Sequence, residues 1–348
     1  MRLVPFSWRG ATELAAAAAA QLGPVAGSAR VETTARRVPA RALRALWMHA
    51  GLPPVEWLAG AIEVFHGTNY LLPPTRRAAG VVTIHDLTYL HHPEWVNAAS
   101  RAYRELVPVA LRRAAVVTTV SATVRDELLE AYPRLDPDRV LVTPNGVEPA
   151  AVERASVAPA PGAALPRPAG LPADYLLFLG TVEPRKGLDT VLEAYRSSST
   201  TLPPLVVAGA AGWGGPSQGA EDAGAGGQVI RLGYVDAATA RTLLAGATAL
   251  VFPSRYEGFG LPPLEALAQG TPAVVSDLPV LREVCGELAT FVAADDPQAW
   301  AHALGRVAAE GDGGPTARAA RRAHAATFSW ARCARAAQHA YGVALAVK

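Results

Sequence analysis

The sequence predicts an α/β protein built from two doubly wound domains, each around a parallel sheet. The chain has 348 residues, more than a usual single domain. Short apolar runs, rich in β-branched residues, alternate with helical segments in both halves. Residues 149–172 between the halves are rich in Pro, Ala and Gly without apolar periodicity, which is typical of a linker. We therefore expect domains at 1–160 and 172–327, with a separate helix at 328–348.

The elements of the N-terminal half follow in order. The predicted strands are 3–7, 64–66, 80–84, 115–120 and 140–143, and the predicted helices are 11–22, 98–113 and 121–132. In a doubly wound sheet, polar residues at the carboxyl ends of strands line the ligand crevice. The residues expected there are His66, Asn69, His85, Asp86, Ser121 and Asn145.

The C-terminal half repeats the alternation without an internal sequence repeat. The predicted strands are 175–179, 205–208, 229–232, 249–253 and 273–276, and the predicted helices are 188–196, 237–245, 264–268 and 280–285, with further helices to the end. Residues 209–227 are rich in glycine and have no period, so we expect a surface loop.

Composition and charge exclude several classes of protein. Lys and Arg total 32 and Asp and Glu total 30, so the net charge is +2 and a nucleic-acid partner is not expected. The two cysteines, Cys285 and Cys333, are too few for a disulfide framework or a cysteine metal site, which favours a reducing, cytoplasmic location. The alanine-rich residues 14–22 are too short and too weakly apolar to span a bilayer. Nothing indicates an oligomeric state.

A glycine loop joins the predicted strand ending at residue 253 to a helix. Pro262 and Pro263 suit the first helical turn, so the free amides of that turn and of the loop would favour an anion. Glu257 and Glu265 frame the loop, and carboxylates accept hydrogen bonds from hydroxyl groups. A ligand with both phosphate and hydroxyls, such as a nucleotide sugar, fits this pattern. Taken alone, the two glutamates could also be a solvated loop residue and a partner of the helix dipole.

A second glycine turn follows the first strand of the C-terminal half. Gly180 and Thr181 come directly after the strand, where a glycine lets the backbone approach a ligand. Arg185 and Lys186 then place two positive charges at the expected start of the next helix. This arrangement suits a diphosphate, although an Arg-Lys pair alone could be a solvated turn.

Both stretches resemble motifs of one enzyme family. Residues 252–266, Phe-Pro-Ser-x-x-Glu-Gly-Phe-Gly-Leu-Pro-x-Leu-Glu-Ala, resemble the donor-site signature of the retaining glycosyltransferases of family four. Residues 180–188, Gly-Thr-x-x-Pro-Arg-Lys-Gly-Leu, resemble the phosphate-binding motif of that family. The resemblance covers about residues 62–340 and is most specific at 176–296. It implies the GT-B fold, with two Rossmann-like domains facing across a cleft and the last helix returning to the N-terminal, acceptor-side domain.

The resemblance also implies roles for single residues. Glu257 would hydrogen-bond the donor sugar, Glu265 would hydrogen-bond the ribose hydroxyls, and His85 of a matching His-Asp motif would lie near the donor sugar and the acceptor. The implied catalytic residues are Glu257, His85, Arg185 and Lys186. The implied donor-binding residues are Gly180, Thr181, Arg185, Lys186, Glu257, Gly258, Phe259, Gly260, Leu261 and Glu265.

The expected reaction breaks the bond between the anomeric carbon and a phosphate oxygen. Negative charge grows on the departing nucleoside diphosphate, so Arg185, Lys186 and the loop amides would bind the transition state most tightly. No Asp-x-Asp motif accompanies the donor motifs, and we expect neither a required metal nor a cofactor besides the donor substrate. His91 and His92 are expected at the surface; the alternative, a di-histidine metal site, lacks a supporting carboxylate spacing. The resemblance implies retention by front-face displacement, while a covalent intermediate on Glu257 stays open.

The start of the chain departs from the family pattern. Trp8-Arg9-Gly10 supplies one glycine where such enzymes have a glycine-rich loop, so we expect the first strand, loop and helix of the family to be missing. Two hypotheses follow. The first is a transferase that moves a hexose to the hydroxyl of a glycan or lipid-linked acceptor, with peripheral contact at the inner membrane surface if the acceptor is a lipid. Residues 85–95 look like the mannosyltransferase branch, which suggests GDP-mannose as donor. The alternative is a catalytically impaired nucleotide-sugar-binding protein that acts through a partner.

Overall fold

A computed structural model describes residues 39–147, 170–199, 201–212 and 228–348, together with residue 16 and the backbone of four two-residue strands. The short strands β1 to β4 pair in parallel, Arg2–Leu3 with Glu32–Thr33 and Phe6–Ser7 with Arg36–Arg37. The predicted strand at 3–7 is thus present in part. The glycine at residue 10, almost all of the helix predicted at 11–22, most of the linker and residues 213–227 lie outside the described residues.

Four parallel strands form the sheet of the N-terminal half, in the order in which they follow one another along the chain. They are β5 (Val64–Gly67), β6 (Ala79–Ile84), β7 (Val116–Thr119) and β8 (Val140–Val142). The described helices of this half are α1 (Ala40–His49), α2 (Glu56–Ala59), α3 (Thr88–His91), α4 (Ala98–Arg101), α5 (Tyr103–Arg113) and α6 (Ala122–Ala131). The single helix predicted at 98–113 is therefore divided at Ala102.

Strand β6 is buried on both faces because its side chains alternate between two layers. Val82 and Ile84 pack in a cluster with residues of α5 and α6. Ala79 and Val81 pack instead against Ala340 and Ala344 of the last helix, α13 (Trp330–Val347). The C-terminal helix therefore covers one face of the N-terminal sheet.

Six parallel strands form the sheet of the C-terminal half. They are β9 (Leu176–Leu179), β10 (Leu205–Ala208), β11 (Val229–Gly233), β12 (Ala249–Phe252), β13 (Ala273–Ser276) and β14 (Thr290–Val292). The described helices are α7 (Leu188–Ser197), α8 (Ala237–Gly246), α9 (Leu261–Gln269), α10 (Pro279–Cys285), α11 (Pro297–Glu310) and α12 (Gly314–Ala326). Strand β14 was not predicted, because three residues are too few to show a period.

The spatial order of this sheet is β11-β10-β9-β12-β13-β14. The chain moves outward from β9 through β10 to β11, then returns to place β12 on the other side of β9. A parallel sheet whose order reverses in this way has a crevice beyond the carboxyl ends of the two central strands. Gly180 follows β9 and Pro253 follows β12, so both predicted donor-site loops begin at this crevice.

The two parallel sheets with their covering helices make the fold an α/β architecture, as the sequence predicts. Domain boundaries at 160 and 172 stay predictions, since the linker lies outside the described residues. Among the described helices, none combines the length and apolar character needed to cross a lipid bilayer.

Candidate active site between the two halves

Arg185 and Lys186 lie on a three-residue 3-10 turn, Pro184–Lys186, between β9 and α7. The turn ends at Gly187, whose φ is 64°, and a Cβ there would lie 2.0 Å from the carbonyl oxygen of Pro253. The amide of Arg255 donates to the carbonyl oxygen of Arg185 at 2.8 Å. The turn thus packs directly on the segment that follows β12. Helix α7 begins at Leu188, as predicted, so the two cations lie on the turn that directly precedes the start of the helix.

Glu257 holds both cations. Its Oε1 lies 2.5 Å from Lys186 Nζ and its Oε2 lies 3.2 Å from Arg185 Nη1, and its side chain is only 9% exposed. Burial alone would raise the pKa of Glu257, but the positive charges of Lys186 and Arg185 outweigh it and hold the pKa below its usual value. Glu257 is therefore an ionised carboxylate engaged with the protein's own cations.

Arg185 is fixed by further acceptors. Its Nε and Nη2 donate to Oε1 of Glu183 at 3.2 and 2.8 Å, and its Nη1 donates to the carbonyl oxygen of Tyr256 at 3.0 Å. Burial by itself lowers the pKa of Arg185, but the carboxylates of Glu257 and Glu183 outweigh it and raise the pKa. The guanidinium therefore stays charged in a buried position at the crevice.

The loop before α9 supplies backbone donors. Gly260 adopts φ 96° and caps the helix, which begins at Leu261. Pro262 and Pro263 have no N–H, so the donors available near this end are mainly amides of the loop, with Leu261 the first of the helix. Glu265 is half-buried and is the fifth residue of α9, so it lies in the second helical turn. The helix predicted at 264–268 would have placed it in the first turn.

The same loop touches the N-terminal half. Ser121 Oγ donates to the carbonyl oxygen of Gly258 at 2.8 Å, and a Cβ on Gly258 would lie 1.9 Å from the carbonyl oxygen of His85. The ring of Phe259 packs in a cluster that includes Val120 and Val147. This loop, residues 257–260 and hereafter the amide loop, thus packs on residues that follow β6 and β7.

Gly180 and Thr181 lie at the same crevice. The amide of Gly180 donates to the carbonyl oxygen of Ala208 at 3.0 Å, and Gly209 packs so closely that its Cβ would lie 1.9 Å from the oxygen of Gly180. Thr181 is exposed. Gly180 therefore contributes close backbone packing and not a free amide.

His85 lies at the boundary of the two halves. Its Nε2 is 2.7 Å from the carbonyl oxygen of Thr68, so Nε2 carries a proton and donates, which leaves Nδ1 as an acceptor in the neutral ring. The ring packs edge-on against Tyr70, with ring centroids 5.7 Å apart. The position at the end of β6 agrees with the prediction.

His66 differs from its predicted place in the cleft. Its Nδ1 lies 2.9 Å from Tyr341 Oη and its Nε2 lies 2.7 Å from Thr83 Oγ1. Burial, with a smaller effect of His85, lowers the pKa of His66 to about 4. The imidazole is therefore packed between the N-terminal sheet and α13, because it is hydrogen-bonded to Thr83 of the sheet and to Tyr341 of the helix.

A cavity of about 250 Å³ adjoins Arg185 between the two halves. It is lined by Tyr70, Asp86, Thr88, Tyr89, Trp95, Val96, Ser100 and Tyr103 of the N-terminal half and by Glu183 and Arg185 of the C-terminal half. Tyr70 has φ 58°, uncommon for a non-glycine residue, and stacks on Tyr103 with ring centroids 4.3 Å apart. Sequence reasoning missed these aromatic residues, since only the fold brings them together.

Two further sequence expectations concern histidines and metals. His92 stacks on Trp95 with ring centroids 3.9 Å apart, and its Nδ1 lies 3.3 Å from Glu94 Oε1. Within the described parts of the chain, no group of three or more His, Cys, Asp or Glu side chains is arranged to hold a metal ion.

Comparisons with known proteins bear on this site. The family model for glycosyl transferases group 1 matches residues 169–324, and that for Glycosyltransferase Family 4 matches residues 14–151. The chain is 30% identical to O-antigen chain mannosyltransferase B of Escherichia coli over 284 residues, which cover 80% of this chain and 74% of the relative. It is 28% identical to O-antigen chain mannosyltransferase RfbU of Salmonella typhimurium, over 71% of this chain and 67% of the relative.

Solved structures show the same fold. HepE of Anabaena, in complex with UDP and glucose, superposes with a TM-score of 0.59 at 16% identity and covers 97% of this chain and 98% of its own. Sucrose-phosphate synthase of Thermosynechococcus elongatus superposes with a TM-score of 0.61 at 22% identity, over 81% of this chain and 74% of its own.

Both donor-site motifs lie at the reversal point of the C-terminal sheet, both family models match, and the mannosyltransferase relatives align over most of their length. The similarity to transferases supports an enzyme over the alternative, an impaired binding protein, which the sequence suggested from the start of the chain. The chain belongs to glycosyltransferase family four, with the GT-B fold, and is a glycosyltransferase of glycan biosynthesis similar to the O-antigen mannosyltransferases.

Proposed function

We propose that the protein transfers a hexose, with retention and without a required metal, from a nucleoside diphosphate sugar to a hydroxyl of a glycan or lipid-linked acceptor. The observation that carries the proposal is the joined cluster of Arg185, Lys186 and Glu257 beside the loop before α9. It brings cations, a carboxylate and backbone donors together at the end of two central strands.

The two cations have capacity left for a diphosphate. Among the described residues, one N–H of Arg185 Nη2 and two N–H groups of Lys186 have no acceptor. As the bond to the anomeric carbon breaks, charge moves onto the phosphate oxygens, and preorganised donors stabilise that charge. Their positive charge can neutralise the leaving group in place of a metal ion.

The environment of Glu257 favours front-face displacement over a covalent intermediate. Each of its carboxylate oxygens faces a cation, at 2.5 Å for Lys186 and 3.2 Å for Arg185. A carboxylate neutralised in this way is a weak nucleophile, because attack would require it to leave both partners. In a front-face displacement, the acceptor oxygen bonds to the anomeric carbon on the side that the phosphate leaves. The departing phosphate oxygen takes the acceptor's proton.

The cavity beside Arg185 fits the second substrate. Drug-sized ligands occupy pockets of roughly 300 to 1,000 Å³, so a cavity of about 250 Å³ suits one sugar ring better than a nucleotide sugar. Its aromatic walls can pack on a sugar face, and Asp86 can accept hydrogen bonds from hydroxyls. We propose that the acceptor hydroxyl binds there, next to Asp86 and Arg185.

For the donor we propose GDP-mannose. The relatives named as mannosyltransferases support the sugar. A structural neighbour solved with UDP and glucose makes UDP-glucose the rival donor. A cytoplasmic place, with contact at the inner membrane surface for a lipid-linked acceptor, follows as a prediction.

A thermal-shift screen of UDP-, GDP- and ADP-sugars tests the proposal. We expect one nucleotide class to raise the melting temperature of the wild type and to lose its effect on Arg185→Ala. Arg282→Ala is the matched control, because Arg282 is 51% exposed and pairs with Asp277 on the surface. Stabilisation by GDP-mannose supports the donor assignment, and stabilisation by UDP-glucose alone overturns it. No shift with any nucleotide sugar would overturn the proposed donor site.

A further inference from the structure

The side chain of Arg255 makes an extensive set of hydrogen bonds, although the proposed function gives this residue no role. It follows β12 by three residues, within the stretch that resembles the family's donor signature but at a position the signature leaves open. Its side chain is 18% exposed. It joins the turn that carries Arg185 and Lys186 to the start of α7 and to Asp295 after β14.

All five N–H groups of the Arg255 guanidinium have acceptors. Nε donates to Asp295 Oδ1 at 2.7 Å, and Nη1 donates to the carbonyl oxygen of Pro184 at 2.8 Å and to Asp189 Oδ1 at 2.9 Å. Nη2 donates to Asp189 Oδ2 at 2.9 Å and to Thr190 Oγ1 at 3.1 Å. Arg255 therefore has no donor left for a phosphate and cannot bind the substrate itself.

These bonds fix the backbone that carries the two cations. The side chain of Arg255 bonds the carbonyl oxygen of Pro184, and its amide bonds that of Arg185. Two residues further on, Glu257 pairs with the charges of the same turn. One loop thus fixes both the path of the turn and the direction of its side chains, and a three-residue 3-10 turn has few hydrogen bonds of its own to do so.

We propose that Arg255 is a positioning residue for the diphosphate, acting through Arg185 and Lys186. The inference rests on the proposed donor site. Only a planar, five-donor fork can bridge a carbonyl oxygen, two carboxylates and a hydroxyl at these distances, so a lysine would keep the charge and lose the placement. Misplacement of charged groups by about 1 Å costs on the order of a hundredfold in rate.

Calorimetric titration tests the proposal with the nucleoside diphosphate that stabilises the wild type and with its monophosphate. We expect Arg255→Lys to weaken binding of the diphosphate about ten- to a hundredfold and to leave binding of the monophosphate unchanged, since in the proposed donor site the turn contacts the additional phosphate. Arg282→Lys is the control, because Arg282 also pairs with both oxygens of an aspartate, Asp277, but away from the turn. It should leave both affinities unchanged.

Asp189→Asn provides a second variant in case Arg255→Lys fails to fold. Asp189 is 57% exposed, and its loss removes the bidentate pair without opening the core. We expect the same selective loss of diphosphate affinity, to a smaller degree. Equal weakening of diphosphate and monophosphate, or no change in either variant, overturns the positioning role. If the wild type itself binds diphosphate no more tightly than monophosphate, the proposed donor site fails instead.

Discussion

The two sheets of this protein are both parallel, but they place their polar groups differently. Strands β9, β10 and β12 are entirely apolar, and the charged residues of the candidate site, Arg185, Lys186 and Glu257, lie in the segments beyond β9 and β12. The N-terminal strands carry His66, Thr83 and Thr118 inside the sheet, joined by hydrogen bonds of 2.7 and 2.8 Å. In the C-terminal half, the polar side chains of the site therefore lie beyond the ends of the strands, where a ligand can reach them. In the N-terminal half, polar side chains form hydrogen bonds within the packed sheet.

The order of the strands explains the difference. The C-terminal order reverses beside β9, so two loops of that half converge at the crevice where we propose that the diphosphate binds. The described N-terminal strands β5 to β8 run in sequence, with no reversal among them. That half contributes through contacts across the boundary, from Ser121 and from the backbone of His85. Four substitutions test this difference between the two halves.

Lys186→Ala should give the largest loss. We expect kcat/KM to fall about a hundredfold or more, equivalent to about 3 kcal/mol, because in the proposed reaction Lys186 stabilises charge on the leaving phosphate. Arg185 still pairs with Glu257, so the fold should persist. Release of nucleoside diphosphate in the presence of acceptor measures the effect. A rate close to that of the wild type would show that the C-terminal crevice is not the donor site.

Gly258→Ala tests whether the amide loop needs the N-terminal half. The added Cβ would lie 1.9 Å from the carbonyl oxygen of His85, so the loop or the boundary must shift. We expect kcat/KM to fall about tenfold or more. Gly342→Ala, in α13 with open space around its Cβ, is the control and should raise stability by about 0.5–1 kcal/mol without changing activity. Full activity of Gly258→Ala would mean that the halves do not meet here during catalysis.

The buried imidazole of His66 predicts a pH dependence in the N-terminal half. Its folded pKa of about 4 lies below the value near 6.5 of an unfolded chain. The unfolded chain therefore binds more protons, so stability is complete above about pH 6.5 and is lost as the pH falls towards 4. At pH 5 the loss should be about 2 kcal/mol.

Urea unfolding at pH 7 and pH 5 measures this loss. His66→Gln should reduce the difference between the two pH values, and His49→Gln, at an exposed histidine of α1, should leave it as in the wild type. An unchanged pH difference in His66→Gln would show that the network under α13 does not hold a neutral imidazole.

Glu283 offers the smallest effect. Its carboxylate, on α10, accepts the amides of Ala122 and Thr123 at 2.8 and 3.0 Å and so caps α6 of the other half. Glu283→Ala should lower the free energy of unfolding by about 1 kcal/mol. Glu193→Ala breaks an exposed pair with Arg196 and should cost less. Equal losses in urea unfolding would mean that the cap does not couple the halves.

Much of the C-terminal half could be predicted from sequence. Apolar runs bounded by glycine and proline predicted β9, β10, β12 and β13 within a residue or two, and the loops with Arg185 and Glu257 followed. Strand β14 was too short to show a pattern. The 3-10 turn at Pro184–Lys186 was not predicted, because the αL conformation of Gly187 that ends it cannot be read from a single glycine.

The amino-acid sequence by itself therefore determined the alternation of strands and helices, the donor motifs and the family, because each of these depends on residues close together in the chain. Tertiary structure decided what each polar group meets. It paired Glu257 with Lys186, filled every donor of Arg255, turned His66 towards Tyr341, and assembled the aromatic cavity around Tyr70. Such contacts join residues far apart in the chain, and which ones form depends on how the two sheets and α13 pack, which no local pattern encodes.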